Sequence, residues 1–407
     1  MVYLHIPFCK SFCTYCAFYS EIFSPDQAAH YEAAVKAELH SREAEIRKTL
    51  STPTLYIGGG TPSVLPPDVL RRLVEAVAKV TGGRYQEFTV EINPDDVTPE
   101  YAVFLKGLGV TRVSMGVQSF DDRILARMHR RHTAEGARRA FTRLREAGFD
   151  NISVDLIFGL GGPVTEGTDG VSAGGVWAES SALESDLDAL LSLPGGPPEH
   201  ISAYQLSLEE GSALYEQVRR GRYRECADEE AARQYGMVCD RLRAAGYEHY
   251  EISNFALAGA RTGADAMGPD AMVPSPYRAL HNSAYWSGVP YVGLGPAAHS
   301  YDGISRRCWS PADLKDYVIR WTARENSSRP EPCFEILTPE QQAMERVMLA
   351  LRTADGIPEV ELRRLCSDAR VDALLRQTYL EKSRINANLR IPERHGFISD
   401  TIIAELV

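Results

Sequence analysis

The sequence predicts an α/β fold: a partial, six-stranded parallel β/α barrel of the TIM type, followed by a small C-terminal helical or winged-helix module. Three observations predict it. Short apolar runs recur six times in the first half of the chain, at Val2–Ile6 and at residues 54–57, 88–92, 112–117, 152–158 and 201–206. Helical stretches separate them, so the strands read as parallel with right-handed crossovers. The alternation stops after about Leu206, short of the eight strands that close a full barrel. An open doubly wound sheet is the other arrangement this pattern allows.

Val2–Ile6 is bounded by Pro7 and delivers the loop that follows. Pro25 starts a helix over residues 26–48, and Pro53 breaks the chain before the second strand. That strand runs straight into Gly58-Gly-Gly-Thr-Pro62-Ser63, with a helix after it over 66–80. The third strand ends at Asn93-Pro94 and precedes a helix over 99–108. Helical material fills 121–147 with a break near His132, and a helix over 183–193 leads to the sixth strand. Residues 161–185 are rich in Gly, Ser and Ala without Lys or Arg, and 256–272 have little pattern; both read as inserted surface loops. From Thr338 the chain turns helical, then runs through 388–391 to a last segment at 398–407. The expected organisation is therefore a barrel over 1–206, an extension over 207–330 and a module over 331–407.

At 407 residues the chain can bury a large core, and 44% apolar with 24% charged residues marks a globular protein. No apolar run is long enough to span a membrane. The first motif begins too close to Met1 to leave room for a signal or transit peptide, so a cytoplasmic protein is expected. A net charge of −11 argues against general nucleic-acid binding, although Arg127, Arg130 and Arg131 make a local basic patch.

Three of the eight cysteines lie together, in His5-Ile-Pro-Phe-Cys9-Lys-Ser-Phe-Cys13-Thr-Tyr-Cys16. An odd number at C-x3-C-x2-C spacing is poor material for disulfides. A structural zinc site wants four closed ligands. Three thiolates on a short loop suit a 4Fe–4S cluster with one iron open to a small molecule. The other five, Cys226, Cys239, Cys308, Cys333 and Cys366, are scattered singly and read as idle thiols of a reducing compartment.

Beyond the cysteines, the glycine run follows a strand and lets backbone approach a ligand closely. Glu91, Gln118 and Asp155 sit in or just past strands, where an unpaired polar residue is costly unless a site uses it. A carboxylate such as Glu91 or Asp155 can accept both hydroxyls of a ribose, and Arg130 can pair with a carboxylate through its planar fork.

The run from His5 to Cys16 resembles the signature of the radical SAM superfamily. Its context is similar to the branch that contains oxygen-independent coproporphyrinogen III dehydrogenase and the heme chaperone HemW. The resemblance covers nearly the whole chain, including Tyr247-Glu-His-Tyr-Glu-Ile-Ser-Asn254-Phe. It implies that Cys9, Cys13 and Cys16 hold a 4Fe–4S cluster and that S-adenosylmethionine (SAM) binds its open iron. It implies SAM contacts from Tyr3, Tyr15, Gly58, Gly59, Gly60, Thr61, Glu91, Gln118, Arg130 and Asp155. His281-Asn-Ser-Ala-Tyr285-Trp286 resembles the chaperone branch's heme motif, which makes His281 an axial-ligand candidate with Tyr285 and Trp286 as flat apolar surface. His299 is a weaker second ligand candidate. The dehydrogenase carries a fourth cysteine two positions after the third, and Phe18 stands there in this chain. The resemblance therefore implies a chaperone with heme as cargo and heme-accepting proteins as partners, with a homodimer left open. The alternatives are oxidative decarboxylation of coproporphyrinogen III and a related methyl transfer.

Overall fold

The computed structural model describes residues 1–164, 180–259, 274–323, 333–383 and 386–406. One sheet organises them. Its strands are β1 (Val2–Ile6), β2 (Thr54–Gly59), β3 (Glu87–Ile92), β4 (Arg112–Gln118), β5 (Ile152–Phe158), β6 (His200–Gln205), β7 (Tyr247–Glu251), β8 (Asn254–Leu257) and β9 (Val292–Leu294). Across the sheet the order is β7-β8-β6-β5-β4-β3-β2-β1-β9. Every pairing from β9 to β6 is parallel. The hairpin β7–β8 adds an antiparallel edge against β6. Among the described residues nothing pairs β7 with β9, so the sheet is an open arc.

The six expected strands all form, and the arc is longer than expected by three. β9 is only three residues long, too short to show periodicity, and is recruited because it registers beside β1. The hairpin lies after the βα alternation ends, where an antiparallel edge needs no crossover.

Helices α1 (Pro25–Ser41), α2 (Pro67–Thr81), α3 (Pro99–Gly107), α4 (Asp122–Arg127), α5 (Ala134–Glu146) and α6 (Ser180–Leu191) supply the crossovers. The single helix expected over 26–48 is broken at Arg42, after which Glu43–Lys48 turns separately. The break aims the Arg42 guanidinium at Glu38 (2.9 Å), the Gly293 carbonyl (2.9 Å) and Ser300 Oγ (2.9 Å). The break expected near His132 separates α4 from α5, and the His132 ring bonds the Val117 carbonyl at 3.0 Å. The inserted loops are shorter than expected where they are described. Gly162–Pro163 pairs with Tyr223–Arg224, α6 already begins at Ser180, and Ala256 and Leu257 belong to β8. The rest of both stretches lies outside the described residues.

The strands alternate with period two. One face carries Leu55, Ile57, Val90, Ile92, Val113, Met115, Val154, Leu156 and Ile201, all in the main core beneath the helices. The other carries Tyr3, His5, Tyr56, Glu91, Arg112, Ser114, Asp155, His200 and Ser202. Parallel strands buried on both faces read as continuous apolar runs. The polar inner face here makes the concave side of the arc a place for ligands. Residues 339–406 gather about a separate core that includes Val347, Leu362, Leu374 and Ile402. Three helices (Pro339–Leu351, Glu359–Leu365, Asp368–Arg376), a short antiparallel pair and a last helix Ser399–Ala404 build it.

Glu38 is 1% exposed and also accepts from Tyr317 (2.6 Å) and the Gly295 amide (3.0 Å). Burial raises its pKa, and Arg42 opposes that. Removing one partner of a buried pair strands the other charge. Arg42→Ala is expected to lower stability by about 3 kcal/mol in urea unfolding; a loss under about 1 kcal/mol would show that water replaces the guanidinium.

Candidate functional site

The cysteine loop leaves β1 at the carboxyl end of the parallel strands. Phe8–Cys9 pairs with Glu21–Ile22, which closes the loop on itself. Thr14 pins its middle: its amide donates to the Met128 carbonyl (3.2 Å), its hydroxyl to the Arg127 carbonyl (3.3 Å), and its carbonyl accepts from the Leu214 amide (2.7 Å). Cys9, Cys13 and Cys16 are free thiols, each partly exposed. Burial pushes the Cys16 thiol up to about 11, and the neighbouring Cys13 and Cys9 sulfurs add to that.

The glycine run is wedged among the other site groups. A Cβ on Gly58 would lie 2.7 Å from the Glu91 carboxyl carbon, one on Gly59 2.6 Å from the His5 ring, and one on Gly60 2.6 Å from the Phe8 carbonyl and 3.1 Å from Cys9 Sγ. Gly59 also has φ +112°, which other residues rarely adopt. Glu91 accepts from the Gly59 amide (3.0 Å) and from the Tyr56 hydroxyl (2.7 Å). Burial pushes its carboxyl up to about 7, nearby Asp155 adds to this, and those hydrogen bonds oppose it.

A chain of bonds runs from one thiol to another. Cys9 Sγ lies 3.5 Å from Thr61 Oγ1, which accepts from Asn93 Nδ2 (3.3 Å). Asn93 Oδ1 accepts from Arg130 Nη2 (2.8 Å), and Arg130 Nη1 reaches Cys13 Sγ (3.4 Å). Arg130 also donates to the Gly116 carbonyl, while its Nε has no partner among the described residues. Two members of the basic patch are paired: Arg130 with the Cys13 thiol, and the exposed Arg131 with Asp95 and Asp96.

Gln118 ends β4 with φ 72°, at an irregularity between β4 and β5. A bulky residue held there is strained, and such strain concentrates at functional sites. The same irregularity follows Asp155, paired with Gly116 and Ser202 across the strands. Burial pushes Asp155 up to about 6, with Ser202, Arg112 and Ser114 opposing. Tyr15 packs with Ile124, Met128 and Leu160, and Cys13, Cys16 and Arg130 all act on its hydroxyl. Tyr3 points into the arc and donates to His5 Nδ1 (3.0 Å), whose Nε2 donates to the Tyr19 carbonyl (3.0 Å). Tyr3 thus reaches the cysteine loop through His5.

The fold brings the three cysteines, the glycine run, Glu91, Gln118, Arg130 and Asp155 to one mouth. The sequence reading missed Tyr56, which holds Glu91, and Asn93 as the bridge between Thr61 and Arg130. Their signal was a lone phenol in an apolar strand and an amide at a strand's end.

The three free thiols lie on one short loop, with the Gly60 backbone against Cys9 and the Arg130 guanidinium against Cys13. Three thiols are one ligand short of the four that close a structural zinc site. That donor set fits a 4Fe–4S cluster.

Residues 3–166 match the family model described as the radical SAM superfamily. The chain is 33% identical over 357 residues to "Heme chaperone HemW" of Bacillus subtilis, covering 87% of this chain and 84% of that one. The chain belongs to the HemW family. The Mycobacterium tuberculosis HemW is 32% identical over 367 residues, covering 89% and 83%. The solved coproporphyrinogen III oxidase (HemN) of Escherichia coli superposes with a TM-score of 0.72 over 99% of this chain and 89% of that one, at 17% identity. That likeness establishes a shared fold. No helix among the described residues is long and apolar enough to cross a membrane.

The motif of residues 281–286 lies elsewhere in this HemW-family chain, on the helix Leu280–Trp286 at the amino ends of β2 and β3. Glu87 accepts from the Leu280 (2.7 Å) and His281 (3.1 Å) amides. His281 is 1% exposed, and both ring nitrogens are engaged, Nδ1 with Thr54 Oγ1 (2.8 Å) and Nε2 with the Tyr285 hydroxyl (3.0 Å). Burial drives its pKa down to about 3. The expected open axial ligand is therefore, in this conformation, part of a plug under the arc, packed 5.2 Å from the Tyr56 ring. Tyr285 faces inward with it, against Tyr291, and Trp286 is partly exposed. His299 is exposed and stacks on Trp309 (5.7 Å, 19°).

Gly60→Ala is expected to push the cysteine loop from the mouth, and the measurement is iron and sulfide content after anaerobic reconstitution. At least a five-fold drop is expected, while Gly236→Ala, inside the helix Asp228–Ala244 with open space around it, should retain full content. Glu91 supplies a pH test. Its folded value of about 7 lies above its ordinary 4.5, so between those values the folded apo-protein holds a proton that the unfolded chain has lost. The Glu91 contribution to stability is then fully present below pH 4.5 and is lost as pH rises through 7, roughly 3 kcal/mol in all. Asp155 has the same sign, so Glu91→Gln should flatten the profile without abolishing it; an unchanged slope in unfolding at pH 5 and pH 7 would remove Glu91 as its source.

Proposed function

We propose that this chain is a heme chaperone that holds a 4Fe–4S cluster and SAM at the strand mouth and passes heme to acceptor proteins. The match along 84% of a HemW chaperone's length carries this reading. Cys9, Cys13 and Cys16 would hold the cluster. When bound, such a cluster supplies an open iron and one-electron chemistry. The backbone of Gly58, Gly59 and Gly60 with Thr61 lies close enough to receive a SAM amino group. Glu91 and Asp155 offer carboxylate oxygens to ribose hydroxyls. Arg130 sets a positive charge 3.4 Å from Cys13 Sγ, where a cluster's negative charge would lie. Tyr15 packs beside the loop and shields it from water. Gln118 presents its amide from a strained position at the end of β4. The position of the dehydrogenase's fourth cysteine is Phe18, 76% exposed, which offers no thiol and leaves apolar surface at the rim.

Heme enters this reading as cargo. His281 would need the Leu280–Trp286 helix to open before its ring could bind iron, whereas His299 offers a reachable imidazole with Trp309 flat against it. Heme spectra and retention on gel filtration test this. His299→Ala is expected to lose heme at least five-fold. His281→Ala is expected to retain heme while its melting temperature falls, because it leaves a cavity and two unpaired partners. Loss of heme in His281→Ala at an unchanged melting temperature would return the ligand role to that motif. Anaerobic incubation with coproporphyrinogen III, SAM and a reductant decides against the dehydrogenase. No protoporphyrinogen is expected, and its formation would overturn the chaperone reading.

A further inference from the structure

A second cluster of metal-binding side chains lies far from the mouth. Cys239 is on the helix Asp228–Ala244, His249 on β7, and Glu393 in the turn Glu393–Ile398 of the C-terminal module. The Cys239 sulfur, a His249 ring nitrogen and a Glu393 oxygen all lie within 4.8 Å of one another. His249 Nδ1 is 3.0 Å from Glu393 Oε1 and 3.9 Å from Cys239 Sγ. Zinc bonds of about 2.0–2.3 Å place such donors about 3.3–3.6 Å apart, so the two His249 pairs need shifts of a few tenths of an ångström and the Cys239–Glu393 pair a shift of at most about 1 Å.

The surroundings are those of a supported ligand set. His249 Nε2 donates to the Ile252 carbonyl at 3.1 Å, which aims Nδ1 at the other two donors; without a metal, Nδ1 carries the proton that bonds Glu393 Oε1, and a cation would displace it. Phe255 stacks on the ring at 4.2 Å and holds its orientation. Arg243 Nε bonds Glu393 Oε2 at 3.1 Å, leaving Oε1 to face inward. Beside them is a cavity of about 50 Å³, lined by His249, Glu393 and Glu251. Glu251 is 5% exposed, and its Oε1 has no partner among the described residues.

We propose that Cys239, His249 and Glu393 bind a divalent transition-metal cation of the zinc class, with a water from the adjoining cavity in the fourth position. Sulfur, nitrogen and oxygen donors together select such a cation over magnesium or calcium. Binding releases the Cys239 thiol proton and any Nδ1 proton to solvent. The ion would tie the barrel's antiparallel edge to the C-terminal module. The competing arrangement is a histidine–carboxylate ion pair with a thiol nearby.

The test is anaerobic Co²⁺ titration of the full chain with its cluster reconstituted and loose metal removed. One equivalent with a thiolate-to-cobalt charge-transfer band is expected. The band should vanish in Cys239→Ser, and affinity should fall at least ten-fold in His249→Gln. Glu393→Gln, on a partly exposed turn, is the second variant if His249→Gln misfolds. The same band should persist when Cys9, Cys13 and Cys16 are all serine, which separates this site from the mouth. Zn²⁺ should raise the melting temperature of the unaltered chain and not of Cys239→Ser. No band, or a band and affinity unchanged in Cys239→Ser and Glu393→Gln, overturns the proposal and leaves an ion pair only.

Discussion

The site depends on backbone being where side chains would otherwise be. Gly58, Gly59 and Gly60 each stand where a Cβ would meet Glu91, His5 or the Phe8 carbonyl at under 3.0 Å, the last with Cys9 Sγ at 3.1 Å. This contact sets how near β2 comes to the cysteine loop and how deep the Glu91 carboxylate lies. It also explains why burial pushes the Glu91 carboxyl up to about 7: the group is pressed against backbone rather than water, and the bonds from Tyr56 and one amide offset this only in part. Loosening that wedge would release the thiol loop and the carboxylate together.

Around the wedge, the arc separates two kinds of surface by strand periodicity alone. The outer face of β2–β6 is apolar and covered by helices, and the inner face is polar. The polar groups are placed by depth. His281 with Thr54 and Glu87 closes the amino ends of the strands, Tyr56 and Tyr3 lie above, Glu91 and Asp155 higher still, and the thiols at the mouth. A chaperone needs a reachable place for its cargo, and the plugged lower end does not supply one in this conformation. The exposed His299–Trp309 pair belongs instead to the small sheet beyond β9.

The C-terminal module joins the barrel through polar contacts and through Phe397, which packs on Tyr235 of the main core. Arg243 and His249 meet Glu393 there, Arg278 reaches both Glu248 and Asp355, and the Ala354 amide donates to the Tyr250 carbonyl (2.9 Å). Such a junction can be tuned by an ion or a charge change without disturbing either core.

The sequence by itself determined the six parallel strands, the break near His132 and the side chains gathered at the mouth. It could do so because strand period and residue type are local properties, and the ends of parallel strands must converge. Tertiary structure alone decided what depends on distant chain meeting. β9 and the β7–β8 hairpin join the sheet because their backbones register with β1 and β6, which no three-residue pattern encodes. The burial of His281 follows from Thr54 and Tyr285 taking both ring nitrogens, and its exposure cannot be read from a motif. Cys239 read as an idle thiol because its partners, His249 and Glu393, are separated from it by 10 and by about 150 residues of chain, and only packing of the module against the hairpin brings the three together.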